Sequence, residues 1–235
     1  MARINTQTKE RIKKIGTVTL SYLDGSGSMN MHDLGLILNI EELDEAMPEQ
    51  KRSNVSIPGH NGVLDTTYAL TNAPLFDNRP LKYGFKAYAQ YVDINELNEK
   101  LVNAFHGREV KVATSWNPGY YFTGNCQVEL KYSSAVLIDV TVKIDADPFM
   151  YEKNETSLTI SVAGTKTQAI ANGTEWITPS VSANANMTVK IHGKSVSVKA
   201  NTNTKYNDIY FKSGSNSLEV SGSGSVTFTF RRGRL

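Results

Sequence analysis

The stretch Met187-Thr-Val-Lys-Ile-His-Gly-Lys-Ser-Val-Ser-Val-Lys-Ala200 decides the fold class. Apolar residues occupy every second position in two runs, from Met187 to Ile191 and from Val196 to Ala200. A period of two is typical of a strand that buries one face. The pair His192-Gly193 between the runs stands where a tight turn belongs. The stretch therefore predicts a β-hairpin.

The same alternation continues on both sides of this hairpin, in a region rich in Ser, Thr, Asn and Gly. It recurs in Leu158–Val162, Ile209–Phe211, Leu218–Val220 and Val226–Phe230. Short strands with a turn signal about every ten residues predict a β-sandwich. Asp145-Ala-Asp-Pro148 interrupts the pattern, so the predicted boundary puts this sandwich at residues 147–235 and a first domain at residues 16–146.

The first domain is also predicted to be β-rich. Its alternating or apolar segments are Val18–Tyr22, Leu34–Ile40, Leu81–Phe85, Glu109–Ala113, Tyr120–Phe122, Cys126–Tyr132 and Val136–Ile144. One helix interrupts them. Asp93 is a good N-cap, Glu96 stands where a capping box needs it, and Gly107 suits a left-handed C-cap. Ile94, Leu97, Leu101 and Phe105 repeat at helical spacing on one face. The predicted fold class is mainly β, with one packed helix.

Charge and cysteine content narrow the class of protein. The net charge is only +2, too small to favour a nucleic-acid partner. Residues 1–15 are polar and basic, and we expect them to form an arm that orders against a partner. Cys126 is the single cysteine, so no intrachain disulfide can form, and it is predicted to be buried. No signal peptide or membrane span is evident, which predicts assembly in a reducing cytoplasm.

One short segment could hold a metal ion. Asp24-Gly-Ser-Gly-Ser28 follows a predicted strand and matches the metal-site pattern of von Willebrand factor A domains. In those domains a carboxylate and two hydroxyls, here Asp24, Ser26 and Ser28, hold Mg²⁺ for an acidic ligand. That fold needs about five or six helices around a doubly wound sheet. A Gly/Ser hairpin turn is therefore the favoured interpretation, and a metal-dependent adhesion module is the alternative.

No segment carries a catalytic pattern, so the chain is predicted to be neither an enzyme nor a cofactor- or metal-binding protein. Dinucleotide, phosphate-loop, metalloprotease and serine-hydrolase motifs are missing. The four histidines, His32, His60, His106 and His192, stand in separate segments and are expected in turns or on the surface. The acidic run Glu41, Glu42, Asp44 and Glu45 is interpreted as a solvated face. The aromatic segment Trp116–Phe122 favours a core or an interface over a sugar platform.

Residues 28–150 resemble the N-terminal domain of siphophage distal tail (Dit) proteins. The most specific piece is Val55-Ser-Ile-Pro-Gly-His-Asn-Gly-Val-Leu-Asp65, which is similar to the family's Val-x-Ile-Pro-Gly-x-x-Gly-x-Leu-Asp, whose glycines permit a tight backbone turn. The motif positions are Ile57, Pro58, Gly59, Gly62, Leu64, Asp65, Asn78 and Arg79. Four further segments follow the family's order: Ser28–Leu36, Asp77–Phe85, Phe105–Tyr121 and Asp147–Tyr151.

The resemblance implies a structural hub of a phage tail tip, placed in the virion. It implies a homo-hexameric ring that joins the tail tube to a tail-associated fibre or lysin protein and often anchors receptor-binding proteins. Ring closure would fall on residues up to about 146. The remainder would be a galectin-like sandwich that docks peripheral partners, with no room for a long arm insertion.

A carbohydrate-binding sandwich for host attachment is the second alternative. Galectins bind sugar through clustered His, Asn, Arg, Trp and Glu side chains. Asn172-Gly-Thr-Glu-Trp176 offers a Trp beside a Glu, but the His-x-Asn-x-Arg element is missing. A structural or docking surface is therefore the favoured interpretation of this domain.

Overall fold

The computed structural model describes residues 16–59, 61–67 and 74–235. They form two compact units that divide between Met150 and Tyr151, whereas the sequence put the boundary between residues 146 and 147. The basic N-terminal segment, residues 1–15, and His60 within the Val55–Asp65 motif lie outside the described residues. The predicted mainly β class is confirmed, with a single α-helical segment among the described residues.

The first unit is built on one antiparallel sheet. Its strands are β1 (Val18–Tyr22), β2 (Ser28–Asn30), β3 (Ile37–Glu45), β6 (Arg79–Tyr88), β7 (Glu109–Thr114), β8 (Tyr120–Tyr132) and β9 (Leu137–Ala146), and their order is β2-β1-β7-β8-β9-β6-β3. A separate two-stranded ribbon consists of β4 (Asn54–Ser56) and β5 (Val63–Asp65). A 3-10 turn, Met31–Leu34, leads into β3.

The core of this unit lies on one face of the sheet. Alternate residues are buried along each long strand, as in β9, where Ile138, Val140, Val142, Ile144 and Ala146 all point inward. Cys126 is buried among them, as predicted. The opposite face carries charged side chains paired across strands, such as Lys143 with Glu129 at 2.7 Å.

The predicted helix packs on this core. It consists of α1 (Ile94–Leu97), a π-helical turn (Asn98–Val102) and α2 (Asn103–Phe105). The predicted apolar face is confirmed, because Leu97, Leu101 and Phe105 are all buried. The Asp93 carboxylate accepts the N–H of Asn95 (2.8 Å), which confirms the cap, and Gly107 has a φ of +73°. Glu96 pairs with Lys100 at 2.5 Å instead of completing a capping box.

The second unit is organised around two 17-residue antiparallel strands, which we call the long strand pair. It contains β11 (Thr156–Asn172), β12 (Ser180–Ala183), β13 (Met187–Ile191), β14 (Lys194–Val198), β15 (Asn203–Lys205) and β16 (Gly214–Phe230). The predicted hairpin of the opening stretch is confirmed as β13 and β14. Short strands β10 (Met150–Glu152) and β17 (Gly233–Arg234) lie near the ends of the unit's sequence.

Strand β16 pairs with β11 over all 17 residues on one side. On its other side it pairs with β13 and then with β12, so two four-stranded halves share the long strand pair. At the level between the halves Gly164 pairs with Gly222, and both have positive φ (+105° and +142°). Glycine inside a strand marks a bend or bulge. Here the two glycines lie at the level where β16 changes partner from β13 to β12. Both halves bury their apolar side chains in one cluster. The galectin-like character of this unit stays a prediction.

Candidate functional site

The chain between β3 and β6 leaves the sheet as a two-stranded ribbon, which we call the arm (described residues 47–59, 61–67 and 74–77). Its legs are joined by backbone hydrogen bonds from Lys51 N–H to Leu75 O (2.8 Å) and from Asp77 N–H to Glu49 O (2.9 Å). Further out, Thr66 N–H donates to Ser53 O (2.7 Å), and then β4 pairs with β5. The Val55–Asp65 motif forms the outer end of this arm.

Two glycines shape the tip. Gly59 and Gly62 have φ values of +80° and +85°, a conformation that side chains with a Cβ disfavour. A Cβ at either position would meet no atom within 4 Å, so the backbone conformation and not close packing favours glycine there. These two motif positions are explained by turn geometry, as the sequence predicted.

The apolar side chains of the arm tip are exposed. Val55 lies opposite Leu64, and Ile57 follows on the same face, while Val63 lies on the other face. Their exposed fractions run from 44% for Ile57 to 61% for Val63. Residues 54–64 contain no Asp, Glu, Lys or Arg. Apolar residues without interspersed charge are typical of the centre of a protein interface.

The other motif pair, Asn78-Arg79, lies at the base of the same arm. Arg79 is 2% exposed. Its Nε donates to Ala46 O (2.8 Å) and its Nη2 lies 3.4 Å from Glu45 O, while the guanidinium stacks over Phe122 at 4.9 Å. Burial lowers the pKa of Arg79. Arg79 therefore ties the strand that enters the arm to the strand that leaves it.

Neighbouring contacts strengthen this base. Asn78 Nδ2 donates to Asp145 Oδ2 (3.3 Å), and Lys51 forms an exposed ion pair with Asp77 (3.2 Å). Phe76 packs edge-on against Phe149 with ring centroids 5.8 Å apart. The structure thus brings together motif residues that are far apart in the sequence, as the exposed tip and the buried base of one element.

The acidic run that the sequence placed on a solvated face has a more specific role. It continues β3 at the edge of the sheet and contains a bulge between Asn39 and Asp44. Glu45 is not simply solvated, because its carboxylate accepts Tyr83 Oη–H (2.9 Å) and Trp116 Nε1–H (3.3 Å). Burial is the main cause that raises the pKa of Tyr83. Glu45 therefore holds the end of β3 in place, directly before the arm begins.

The Asp24-Gly-Ser-Gly-Ser28 segment closes the β1–β2 hairpin. Tyr22 N–H donates to Gly27 O (3.0 Å), and the Asp24 carboxylate accepts the N–H of Ser26 (2.8 Å), which lowers the pKa of Asp24. This confirms the turn interpretation. The von Willebrand A alternative is wrong at the level of fold, because the described strands form antiparallel sheets and not a doubly wound one. No three metal-ligating side chains gather in the part of the chain that the structure describes.

The aromatic segment Trp116–Phe122 is buried at one end and exposed at the other. Phe122 is buried beneath Arg79, whereas Trp116 is 36% exposed and its ring centroid lies 6.4 Å from that of Tyr83. In the second unit Trp176 stacks on Tyr210 at 5.6 Å. The ammonium of Lys212 lies 5.0 Å from the Trp176 ring centroid. Trp176 thus makes ring contacts within the second unit.

Comparison with solved structures identifies the fold. The Dit protein (gp 19.1) of phage SPP1 superposes with a TM-score of 0.58 at 13% identity, covering 91% of this chain and 98% of that one. The chain has the fold of a phage distal tail protein. That structure is described as a paradigm of the hub of the adsorption apparatus in phages that infect Gram-positive bacteria. The predicted resemblance is thereby confirmed for the fold.

A second likeness is weaker. A chain of the phage P2 baseplate, in its activated conformation with Ca, matches with a TM-score of 0.46 and 6% identity, covering 93% of this chain and 98% of that one. This score is too low to support an argument. No family model and no curated protein matches the sequence. Among the described residues, no helix is long and apolar enough to span a membrane.

Proposed function

We propose that this protein is a non-enzymatic hub of a phage tail tip, in which copies of the first unit close a homo-hexameric ring. The ring would join the tail tube to a tail-associated fibre or lysin protein and carry receptor-binding proteins. The protein would be assembled in the host cytoplasm and end in the virion. The observation that carries this proposal is the arm, since its tip exposes apolar residues on a distal tail fold.

The arm supports assembly with a further copy of the chain. A ring needs two different surfaces on each subunit, one that projects and one that receives, because its contacts are head-to-tail. The arm supplies the projecting surface. Its base is fixed by the buried Arg79, so the tip is held out from the sheet at a defined place. A well-positioned element loses less entropy on binding than a disordered one.

The open sheet supports the same proposal. Its path ends at β2 on one side and at β3 on the other, so it leaves two free edges within the described part of the first unit. Free edges expose unpaired backbone N–H and C=O groups. Side chains of neighbouring subunits in a ring would cover these edges without adding a strand to either of them.

Mass photometry and negative-stain microscopy of the purified chain test this proposal. We expect particles of about six times the 25.9 kDa chain mass, or a multiple of that, with a central opening. If the ring forms only on the tail, the isolated chain should still bind tail tube or fibre protein. A stable monomer at high concentration that binds neither partner would overturn the proposal.

A further inference from the structure

Strand β11 is a long sheet edge, and the part of it that precedes Gly164 and Lys166 lacks the features by which proteins usually protect such edges. All 17 of its residues, Thr156–Asn172, pair with β16 on one side. Within the described part of the second unit, no strand pairs with its other side. Lys166 is its only charged residue. An edge of this length exposes a row of backbone donors and acceptors that a further strand can satisfy.

Other edges of the molecule are protected. Strand β3 carries four acidic residues and a bulge between Asn39 and Asp44. Strands β2 and β15 have three residues each, and β14 has five, with Lys194 paired to Asp208 at 2.6 Å. Short length, charge and bulges each discourage pairing between edges. The contrast singles out β11.

Residues Ser157–Ala163, Ser-Leu-Thr-Ile-Ser-Val-Ala, are the part of β11 best suited to accept a strand. Ser157, Thr159 and Ser161 are exposed on one face, while Ile160 and Val162 are buried on the other. The segment has high β-propensity, no charge, no proline and no glycine. Such segments pair readily with their own kind when they lie on an edge.

We propose that the β11 edge pairs antiparallel with the β11 edge of a second copy of this chain, around a two-fold axis at Thr159. The segment is complementary to itself in this register. Thr159 faces Thr159, Ser157 faces Ser161, and Leu158 faces Ile160, so the hydroxyl face and the apolar face both continue across the pair. Lys166 lies outside the paired segment, so no like charges face each other.

This contact is independent of the proposed ring. It uses only the second unit, and it is isologous, so it closes after two copies because each β11 has a single free edge. A chain that forms both contacts builds a pair of rings, and a chain that forms this contact alone is a dimer. In either case the loss of the β11 contact halves the particle mass.

The test compares two variants that remove the same hydrogen bond. Thr159 and Thr227 are directly opposite, with their hydroxyl oxygens 2.9 Å apart on one face, but Thr159 lies on the edge strand and Thr227 lies one strand further in. Thr159→Lys places two ammonium groups opposite each other at the two-fold axis and weakens pairing by up to about fivefold. Thr227→Lys is the matched control, and thermal melting checks that both fold.

Mass photometry of the full chain over a concentration series gives the readout. We expect Thr159→Lys to form particles of half the wild-type mass, while Thr227→Lys keeps the wild-type mass. An equimolar mixture of Thr159→Lys and Thr159→Asp should restore that mass, because opposite charges then face each other. Equal masses for wild type and both lysine variants, or an equal loss in both variants, would overturn the proposal.

Oxidative cross-linking provides a second measurement if the lysine variant does not fold. Thr159→Cys should form an intermolecular disulfide at the two-fold axis much faster than Thr227→Cys, since Cβ atoms directly opposite across strands lie about 5 Å apart. The native Cys126 is buried and does not interfere. Equal cross-linking rates for the two variants would overturn the proposal. Protection of the β11 amides from hydrogen exchange only after another tail protein is added would also overturn it and would assign the edge to that protein.

Discussion

The arm tip and the long strand pair β11–β16 are both built from two antiparallel strands, yet they use their apolar residues in opposite ways. In the arm tip, three residues per strand are paired and every one is exposed. In the long strand pair, 17 residue pairs connect the strands and alternate side chains enter a shared core. An isolated short ribbon is marginally stable in water, whereas a ribbon with a buried face is part of the fold.

This difference separates stability from assembly. Apolar residues in β16 stabilise the second unit because they leave water on folding. Apolar residues at the arm tip bury little of their surface within one chain, so we assign them to contacts between chains. The predictions below test this separation, in order of decreasing effect on the free energy of unfolding.

The largest loss of stability is expected in the long strand pair. Phe228 is fully buried and packs against Phe211 with ring centroids 6.1 Å apart. Phe228→Ala should lower the free energy of unfolding of the second unit by about 3–5 kcal/mol, because it removes apolar contacts and leaves a cavity. Urea denaturation measures this change. Thr167→Ala, an exposed position on β11, is the control and should change it by less than about 0.5 kcal/mol.

A smaller loss is expected at the base of the arm. Arg79→Leu leaves the carbonyl oxygens of Ala46 and Glu45 without their donor, which costs about 1–3 kcal/mol. Hydrogen exchange should then quicken at the amides of Lys51 and Asp77, whose bonds hold the legs together. Arg79→Lys keeps the charge but loses the planar guanidinium, so its exchange rates should lie between those of the wild type and those of Arg79→Leu. Unchanged exchange in Arg79→Leu would show that Arg79 does not hold the arm.

The sequence predicted the alternating strands because one buried face imposes a period of two. It did not predict the continuity of β11 through Gly164, since glycine normally interrupts a strand pattern. The strand continues because Gly164 pairs with another glycine, Gly222. The π-helical turn over Asn98–Val102 was also missed, because its sequence keeps the helical apolar spacing.

The candidate site was predicted in part. The motif residues were identified one by one, and the glycines were correctly explained by turn geometry. The sequence did not reveal that Leu64 and Arg79 belong to the tip and the base of one arm, because that follows from the pairing of two distant legs. The alternation of Val55 and Ile57 resembles that of a core strand, so their exposure was not predictable either.

A local effect of pH is expected in the arm. The Asp65 carboxylate accepts hydrogen bonds from the Thr67 side chain and from the Thr67 N–H (2.9 Å), which lowers the pKa of Asp65. Because the pKa is lowered, the stabilisation that these hydrogen bonds give to the arm is present above the ordinary Asp pKa and is lost as pH falls through the lowered value. The Thr67 amide resonance should shift in that acid range. Asp65→Asn should abolish the titration, and a titration that persists would point to another group.

The most direct test of the central claim is the double variant Ile57→Ser with Leu64→Ser. Both side chains are exposed, so the free energy of unfolding should change by less than about 0.5 kcal/mol. Mass photometry should show that its particles fall to one sixth of the wild-type mass. Val136→Ser, at a more exposed apolar position outside the arm, should keep the wild-type mass. If particles of the double variant kept the full wild-type mass, the claim that the arm tip closes the ring would be contradicted.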